Sequence, residues 1–156
     1  MGMDLSDLIA PEAVFASLKA TSKKQALQVL SNKAADLTGF SERDIFTTLL
    51  ERERLGSTGV GHGVAIPHAK LPGLERVVGL FARTNTPLDF EALDEQPVDL
   101  LFVLLAPEGS GADHLKALAR IARVLRDEVL ADKIRSTDHA TGIYAVLTGG
   151  SQSNAA

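Results

Sequence analysis

The chain carries no cysteine and four histidines, at positions 62, 68, 114 and 139. With thiols absent, imidazole is the side chain suited to nucleophilic or proton-transfer chemistry near neutral pH. Two of the four lie in one stretch: Gly56-Ser57-Thr58-Gly59-Val60-Gly61-His62-Gly63-Val64-Ala65-Ile66-Pro67-His68-Ala69-Lys70. Four of the chain's 13 glycines fall within its first eight residues. Clustered glycine permits positive φ and close approach to a ligand. Successive N–H groups in such a segment can cradle a phosphate, and Gly61 and Gly63 are the candidates here. The stretch is neither of the two common nucleotide loops. It lacks the Gly-Lys-Ser/Thr of a P-loop. The third glycine of a dinucleotide loop would fall on Val64 or Ile66. On the glycines alone, a flexible connector is an open alternative. The end of the stretch argues for more. Pro67 fixes its own φ and pushes Ile66 toward extended backbone, so His68 is expected at a strand end on a stiffened chain.

The flanking sequence predicts the elements that hold this segment. Ser22-Lys23-Lys24-Gln25 is a capping box, and Leu27, Leu30, Ala34 and Leu37 follow at helical spacing until Gly39. Ser41-Glu42-Arg43-Asp44 opens a second helix with Ile45, Phe46, Leu49 and Leu50 on its apolar side, ending at Gly56. A third helix is expected from Ala112 to Arg126, with Leu115, Leu118, Ala119, Ala122 and Leu125 as its buried stripe. Two short helices follow near 128–135 and 139–147. Strands are expected at Val14–Leu18, at Val64–Ile66 cut off by Pro67, at Val77–Arg83 and at Val98–Leu105. The last is apolar on both faces, as a central strand covered on both sides should be. The pattern is an α/β fold with a central sheet flanked by helices on both faces.

Composition narrows the function. The chain is 156 residues long, one domain's length, expected to span 4–148. Residues 1–3 read as a cloning remnant, and 149–156 as a small, polar, disordered tail. Net charge is −4, and the aromatic residues are six Phe and one Tyr. Neither feature suits a nucleic-acid binder. There is no signal peptide and no apolar run long enough to span a membrane, so a cytoplasmic protein without membrane insertion is expected.

Ser57-Thr58-Gly59-Val60-Gly61-x-Gly63-Val64-Ala65-Ile66-Pro67-His68 resembles the active-site signature of the phosphotransferase-system IIA proteins of the fructose–mannitol and nitrogen-regulatory class. The preceding Arg52-Glu53 and the later Gln96-Pro97-Val98-Asp99-Leu100-Leu101-Phe102 are similar to that family too. The resemblance covers roughly 4–148, and within the family Gly56-Ser57-Thr58-Gly59 and Ala65-Ile66-Pro67-His68-Ala69-Lys70 look closer to the regulatory group. It implies the family's mixed-sheet IIA fold and a phosphohistidine relay. A phosphoryl group from phosphoenolpyruvate would reach His68 through an initiating enzyme and a histidine phosphocarrier protein. By motif position Arg52 and His114 would be its active-site partners. No cofactor or metal is implied. The regulatory group acts on partners such as potassium-transport and sensor-kinase proteins, whereas a sugar-specific IIA passes phosphate to a IIB domain. The residue types suit the task. Neutral imidazole attacks phosphorus without prior deprotonation, and an arginine fork neutralises the transferred oxygens. Ser57, Thr58 and the glycine N–H groups are candidate phosphate donors.

Each residue also has an ordinary reading. Arg52 sits in Glu51-Arg52-Glu53-Arg54, which can be a solvated helix end. Asp113 can be a simple N-cap, with His114 in the first turn. His62 departs from the family, where Asn is usual, and can be a donor, a competing acceptor or a solvent-exposed side chain. His139 reads as a bystander. A different function class is a metal hydrolase using His62, His68 and His114, but no pair has helical i, i+4 spacing. A third is a binding module using Lys116, Arg120 and Arg123, which share a helix face.

Overall fold

The computed structural model describes residues 5–149. The expected N-terminal remnant and residues 150–156 of the expected tail lie outside them. Eleven elements follow in order: β1 (Ile9–Leu18), α1 (Lys23–Thr38), α2 (Glu42–Leu55), β2 (Gly59–Gly61), β3 (Val64–Ala65), β4 (His68–Leu71), β5 (Val78–Leu88), β6 (Val98–Pro107), α3 (Ala112–Leu125), α4 (Glu128–Arg135) and α5 (Ala140–Leu147). The strands form one mixed sheet in the order β1-β5-β6-β3-β2, with β4 also on β6. β1 is parallel to β5, β5 antiparallel to β6, and β3 and β4 both parallel to β6. Every residue of β6 from Leu100 to Ala106 is fully buried, so both faces of this central strand are covered.

The helix ends follow local chemistry. Ser22 Oγ accepts from the Gln25 N–H at 3.1 Å, and Ser41 Oγ from the Asp44 N–H at 3.2 Å. The return half of the first box goes one residue further back: Gln25 Oε1 accepts from the Thr21 N–H at 2.6 Å.

Three strands extend beyond their expected bounds to or through prolines: β1, β5, and β6, which ends at Pro107 rather than Leu105. β1 begins at Ile9 and runs through Pro11, with its pairing irregular between Ile9 and Val14. It lies at the sheet edge, where a residue without an N–H is tolerated. β5 runs past Arg83 to Leu88 through Pro87, again with a register break. A further proline bears on the site. β3 stops at Ala65, just before Ile66-Pro67, and pairing to β6 resumes with β4 at His68. Val64 faces Leu100 and His68 faces Leu104 at a constant offset, so β3 and β4 form one path along β6. Pro67 has no N–H for the ladder, yet its carbonyl accepts from Leu104 N at 2.9 Å. His68 therefore opens a strand held by hydrogen bonds on either side of it.

The stripe expected on α3 is rotated. The buried residues are His114, Ala117, Ile121, Val124 and Leu125, while Leu115 is 67% exposed. Asp113 is not its N-cap; Gly111 is, without a side-chain cap bond. The helix carries apolar residues on two faces, and spacing alone cannot say which of them meets the sheet.

Candidate functional site

The His68 ring is oriented from both nitrogens. Nδ1 lies 2.8 Å from the Ile66 carbonyl oxygen, and Arg52 Nε donates to Nε2 at 3.2 Å. A carbonyl only accepts and a guanidinium only donates, so the two contacts specify one tautomer. The proton is on Nδ1, and the lone pair is on Nε2. Arg52 comes from the last turn of α2. Its Nη1 donates to the Gly56 carbonyl at 2.8 Å, which holds the fork beside the histidine and satisfies a carbonyl just past the helix end.

His114 stands in the first turn of α3, 6% exposed, its ring centroid 5.4 Å from that of His68 and tilted by 56°. Its Nδ1 is buried without a hydrogen-bond partner. Both imidazoles are held below their ordinary value of 6.5. For His68 the main cause is desolvation. The Arg52 charge adds to it, while the bond to the Ile66 carbonyl and the Glu53 charge oppose it. For His114 desolvation leads, followed by the charges of His68 and Lys70. Two neutral imidazoles at neutral pH, one with an aimed lone pair, make a nucleophilic centre rather than a cationic one.

A shallow cavity of about 310 Å³ opens over this centre. Arg52 and His68 line it together with Val60, Ile66, Leu118 and Ala122. The apolar α3 residues that do not face the sheet thus rim the histidine.

Ser57 and Thr58, the other side chains expected to donate to phosphate, line the same cavity, and each hydroxyl already has a partner. Ser57 Oγ donates to the Phe90 carbonyl at 2.5 Å, and Thr58 Oγ1 donates to Glu53 Oε1 at 2.6 Å. Both hydroxyl protons are therefore taken. Gly61, His62 and Gly63 belong to a hairpin turn. β2 and β3 are antiparallel, and Gly61 pairs with Val64. His62 and Gly63 have φ of 59° and 79°, the positive pair that a two-residue hairpin turn demands. Their turn is clamped by the Asp94 carboxylate, which accepts the His62 N–H at 3.0 Å, and by Arg135, which donates to the His62 carbonyl at 2.9 Å. Arg135 is itself paired to Asp99 through two bonds of 2.9 Å. The turn lies at the start of the β3–β4 path, and His68 stands midway along it. Val64 and His68 are four residue steps apart, about 13 Å of extended chain. A side chain such as Asn, which tolerates left-handed backbone, would suit position 62 for the same reason. His139 is exposed at the start of α5 and makes no cap bond.

One residue escaped the sequence reading. Glu53 is 5% exposed and accepts from both the N–H and the hydroxyl of Thr58, at 2.8 and 2.6 Å, with Lys23 Nζ at 3.4 Å. Its signal was an acidic residue in the last turn of a helix, where the helix dipole disfavours negative charge and a specific partner is needed. Among the described residues, no group of three or more His, Asp or Glu side chains is placed to hold a metal ion. No helix of the described residues is long and apolar enough to cross a membrane.

The family profile described as "Phosphoenolpyruvate-dependent sugar phosphotransferase system, EIIA 2" matches residues 7–149. A nitrogen regulatory protein of Bradyrhizobium diazoefficiens is 63% identical over 145 residues, covering 93% of this chain and 95% of that one. One from Escherichia coli K12 is 37% identical over 147 residues, covering 94% and 90%. Among solved structures, nitrogen regulatory protein IIA-Ntr from Neisseria meningitidis superposes with a TM-score of 0.86 at 32% identity, covering 91% of this chain and 97% of that one. A sheet of this order, an imidazole pair where β4 meets α3 and matches across nearly the whole chain agree with one another: the chain belongs to the EIIA 2 family of the phosphoenolpyruvate-dependent phosphotransferase system.

Proposed function

We propose that this IIA protein accepts a phosphoryl group on His68 Nε2 from a histidine phosphocarrier protein and works as a nitrogen-regulatory switch. The observation that carries the reading is the line Arg52 Nε–H to His68 Nε2, and His68 Nδ1–H to the Ile66 carbonyl. It leaves the lone pair on the nitrogen at the cavity. In the transfer, the N–P bond of the carrier breaks and an Nε2–P bond forms. The Nδ1 proton stays where it is. Arg52, released from the lone pair, turns its fork to the phosphoryl oxygens, since charge neutralisation and positioning are what this transfer requires. His114, packed against the His68 ring, supports its orientation or donates to the same oxygens. The donor is a protein, so the nucleophile must be reachable by a surface. The apolar rim of Leu118 and Ala122, with Leu115 exposed nearby, suits such docking.

Phosphorylation adds about two negative charges and several acceptors to this rim. Targets such as potassium-transport or sensor-kinase proteins would read that difference. The likeness to nitrogen regulatory proteins favours this role over a sugar-specific one.

The test combines the protein with phosphoenolpyruvate, the initiating enzyme and a phosphocarrier. The expected product is an acid-labile mass gain of one phosphoryl group, carried on Nε2 by NMR and lost in His68→Ala. Labelling that survives in His68→Ala and disappears in His62→Ala would reject the assignment. Rapid onward transfer to a sugar-specific IIB domain would instead favour the sugar-uptake role.

A further inference from the structure

The segment between α2 and β2 holds Arg52 directly and His68 through Ile66. The Gly56 carbonyl holds Arg52 Nη1 at 2.8 Å. The Thr58 carbonyl accepts the Ile66 N–H at 3.0 Å, and the Ile66 carbonyl in turn holds His68 Nδ1 at 2.8 Å. Three residues, Gly56 to Thr58, therefore set the positions of the two groups whose mutual aim makes the nucleophile. The anchor of that segment is the Glu53 carboxylate. It takes the Thr58 N–H on Oε2 and the Thr58 hydroxyl on Oε1. Lys23, which also reaches Glu91 at 2.9 Å, approaches it from α1.

We infer that Glu53 is a positioning residue for phosphoryl acceptance: through Thr58 it holds the Gly56–Thr58 segment so that Arg52 Nε and the Ile66 carbonyl together select the Nδ1–H tautomer of His68. This rests on reading His68 as the acceptor. Free imidazole faces no such selection and must reach the reactive tautomer before attack. A bidentate anchor on one carboxylate removes that step, and both hydrogen bonds are buried, where misplacement is costly. Thr58 thereby has a part different from the phosphate donor expected of it. Its hydroxyl is a strut.

The experiment uses the full chain in two measurements. The first is ¹⁵N NMR of the His68 ring without any phosphoryl donor, at mildly alkaline pH where imidazoles are neutral. The second is single-turnover phosphoryl acceptance across a range of phosphorylated carrier concentrations. Wild-type protein should show a protonated Nδ1 and a bare Nε2. Glu53→Ala should mix the tautomers and lower the saturating rate by about 10- to 100-fold, the scale of a misaimed reactive group, with the half-saturating carrier concentration unchanged. Thr58→Val, which keeps the N–H bond and loses the hydroxyl, should move both readouts the same way. Thr58→Ser should restore both. If Glu53→Ala does not fold, Thr58→Val against Thr58→Ser decides the matter. A folded Glu53→Ala or Thr58→Val with the wild-type tautomer overturns the inference, and so does a mixed tautomer with an undiminished rate. Should His68→Ala still be phosphorylated, the reading of the acceptor fails separately, because the ring measurement needs no phosphoryl donor.

Discussion

Removing the Arg52 side chain tests the site most directly, and its size can be worked from the two contacts the guanidinium makes. At rest, Nε bonds His68 Nε2 at 3.2 Å and Nη1 bonds the Gly56 carbonyl at 2.8 Å. During transfer the first bond must break, because the attacking lone pair is the one it covers. Two charge-assisted bonds to the phosphoryl oxygens would return about 4 kcal/mol. Losing the resting bond to the imidazole takes back about 1.5 kcal/mol. The difference of about 2.5 kcal/mol corresponds to a 50- to 100-fold effect on the rate, at tenfold per 1.36 kcal/mol. Arg52→Ala should therefore slow acceptance from phosphorylated carrier by about 50- to 100-fold, with an intact circular dichroism spectrum. Arg52→Lys keeps a charge but not a planar fork, and should fall between, about tenfold below wild type. The assay is rapid-quench mass analysis at saturating carrier. A folded Arg52→Ala that accepts phosphate within about threefold of wild type would refute the role, since threefold is about 0.65 kcal/mol, well below the net of about 2.5 kcal/mol.

Three further outcomes follow from the same geometry. Both His68 and His114 are held below the ordinary imidazole value of 6.5, so the folded chain refuses protons that the unfolded chain takes up. Stability should fall as pH drops below 6.5, and the fall should shrink in a His68→Gln, His114→Gln double variant measured by urea unfolding. His62 lies in a hairpin turn, so His62→Asn should leave phosphorylation unchanged and keep or slightly raise stability. His62→Val, forced to the same positive φ of 59°, should lose about 1–2 kcal/mol in thermal unfolding. Gly59 is needed for packing rather than for a ligand: a Cβ there would stand 2.8 Å from the Ala92 Cβ. Gly59→Ala should destabilise by about 1–3 kcal/mol in denaturant melts.

Much of the fold was legible because its determinants are local. Ser22 and Ser41 cap helices through N–H groups three residues away, and Gly39 closes α1 in the left-handed conformation. β6 announced itself by an unbroken apolar run. What was not legible depends on contacts made at a distance. Pro67 interrupts the strand as its chemistry predicts, but spacing does not show that β6 takes up the pairing again at His68. The spacing puts Leu115 on the buried side, but the buried face of α3 carries His114 and Ala117 instead. The residue types of the glycine segment also do not show that Phe90 and Glu53 accept from the Ser57 and Thr58 hydroxyls, or that Asp94 and Arg135 hold the His62 backbone.

The sequence by itself determined the central strand, the caps of α1 and α2, and the glycine segment leading to His68, whose family resemblance implied Arg52 and His114 as partners. Each of these is written in neighbours within a few positions or in a motif. The tertiary structure alone decided which nitrogen of His68 carries the lone pair, that His62 lies away from it, and that Glu53 anchors the segment joining Arg52 to His68. Those facts depend on contacts such as Asp94 to His62, across 32 residues, and Arg52 to His68, across 16. A hydrogen bond orients a group only when both partners are fixed, and here they are fixed by the strand path and helix end that packing brings side by side.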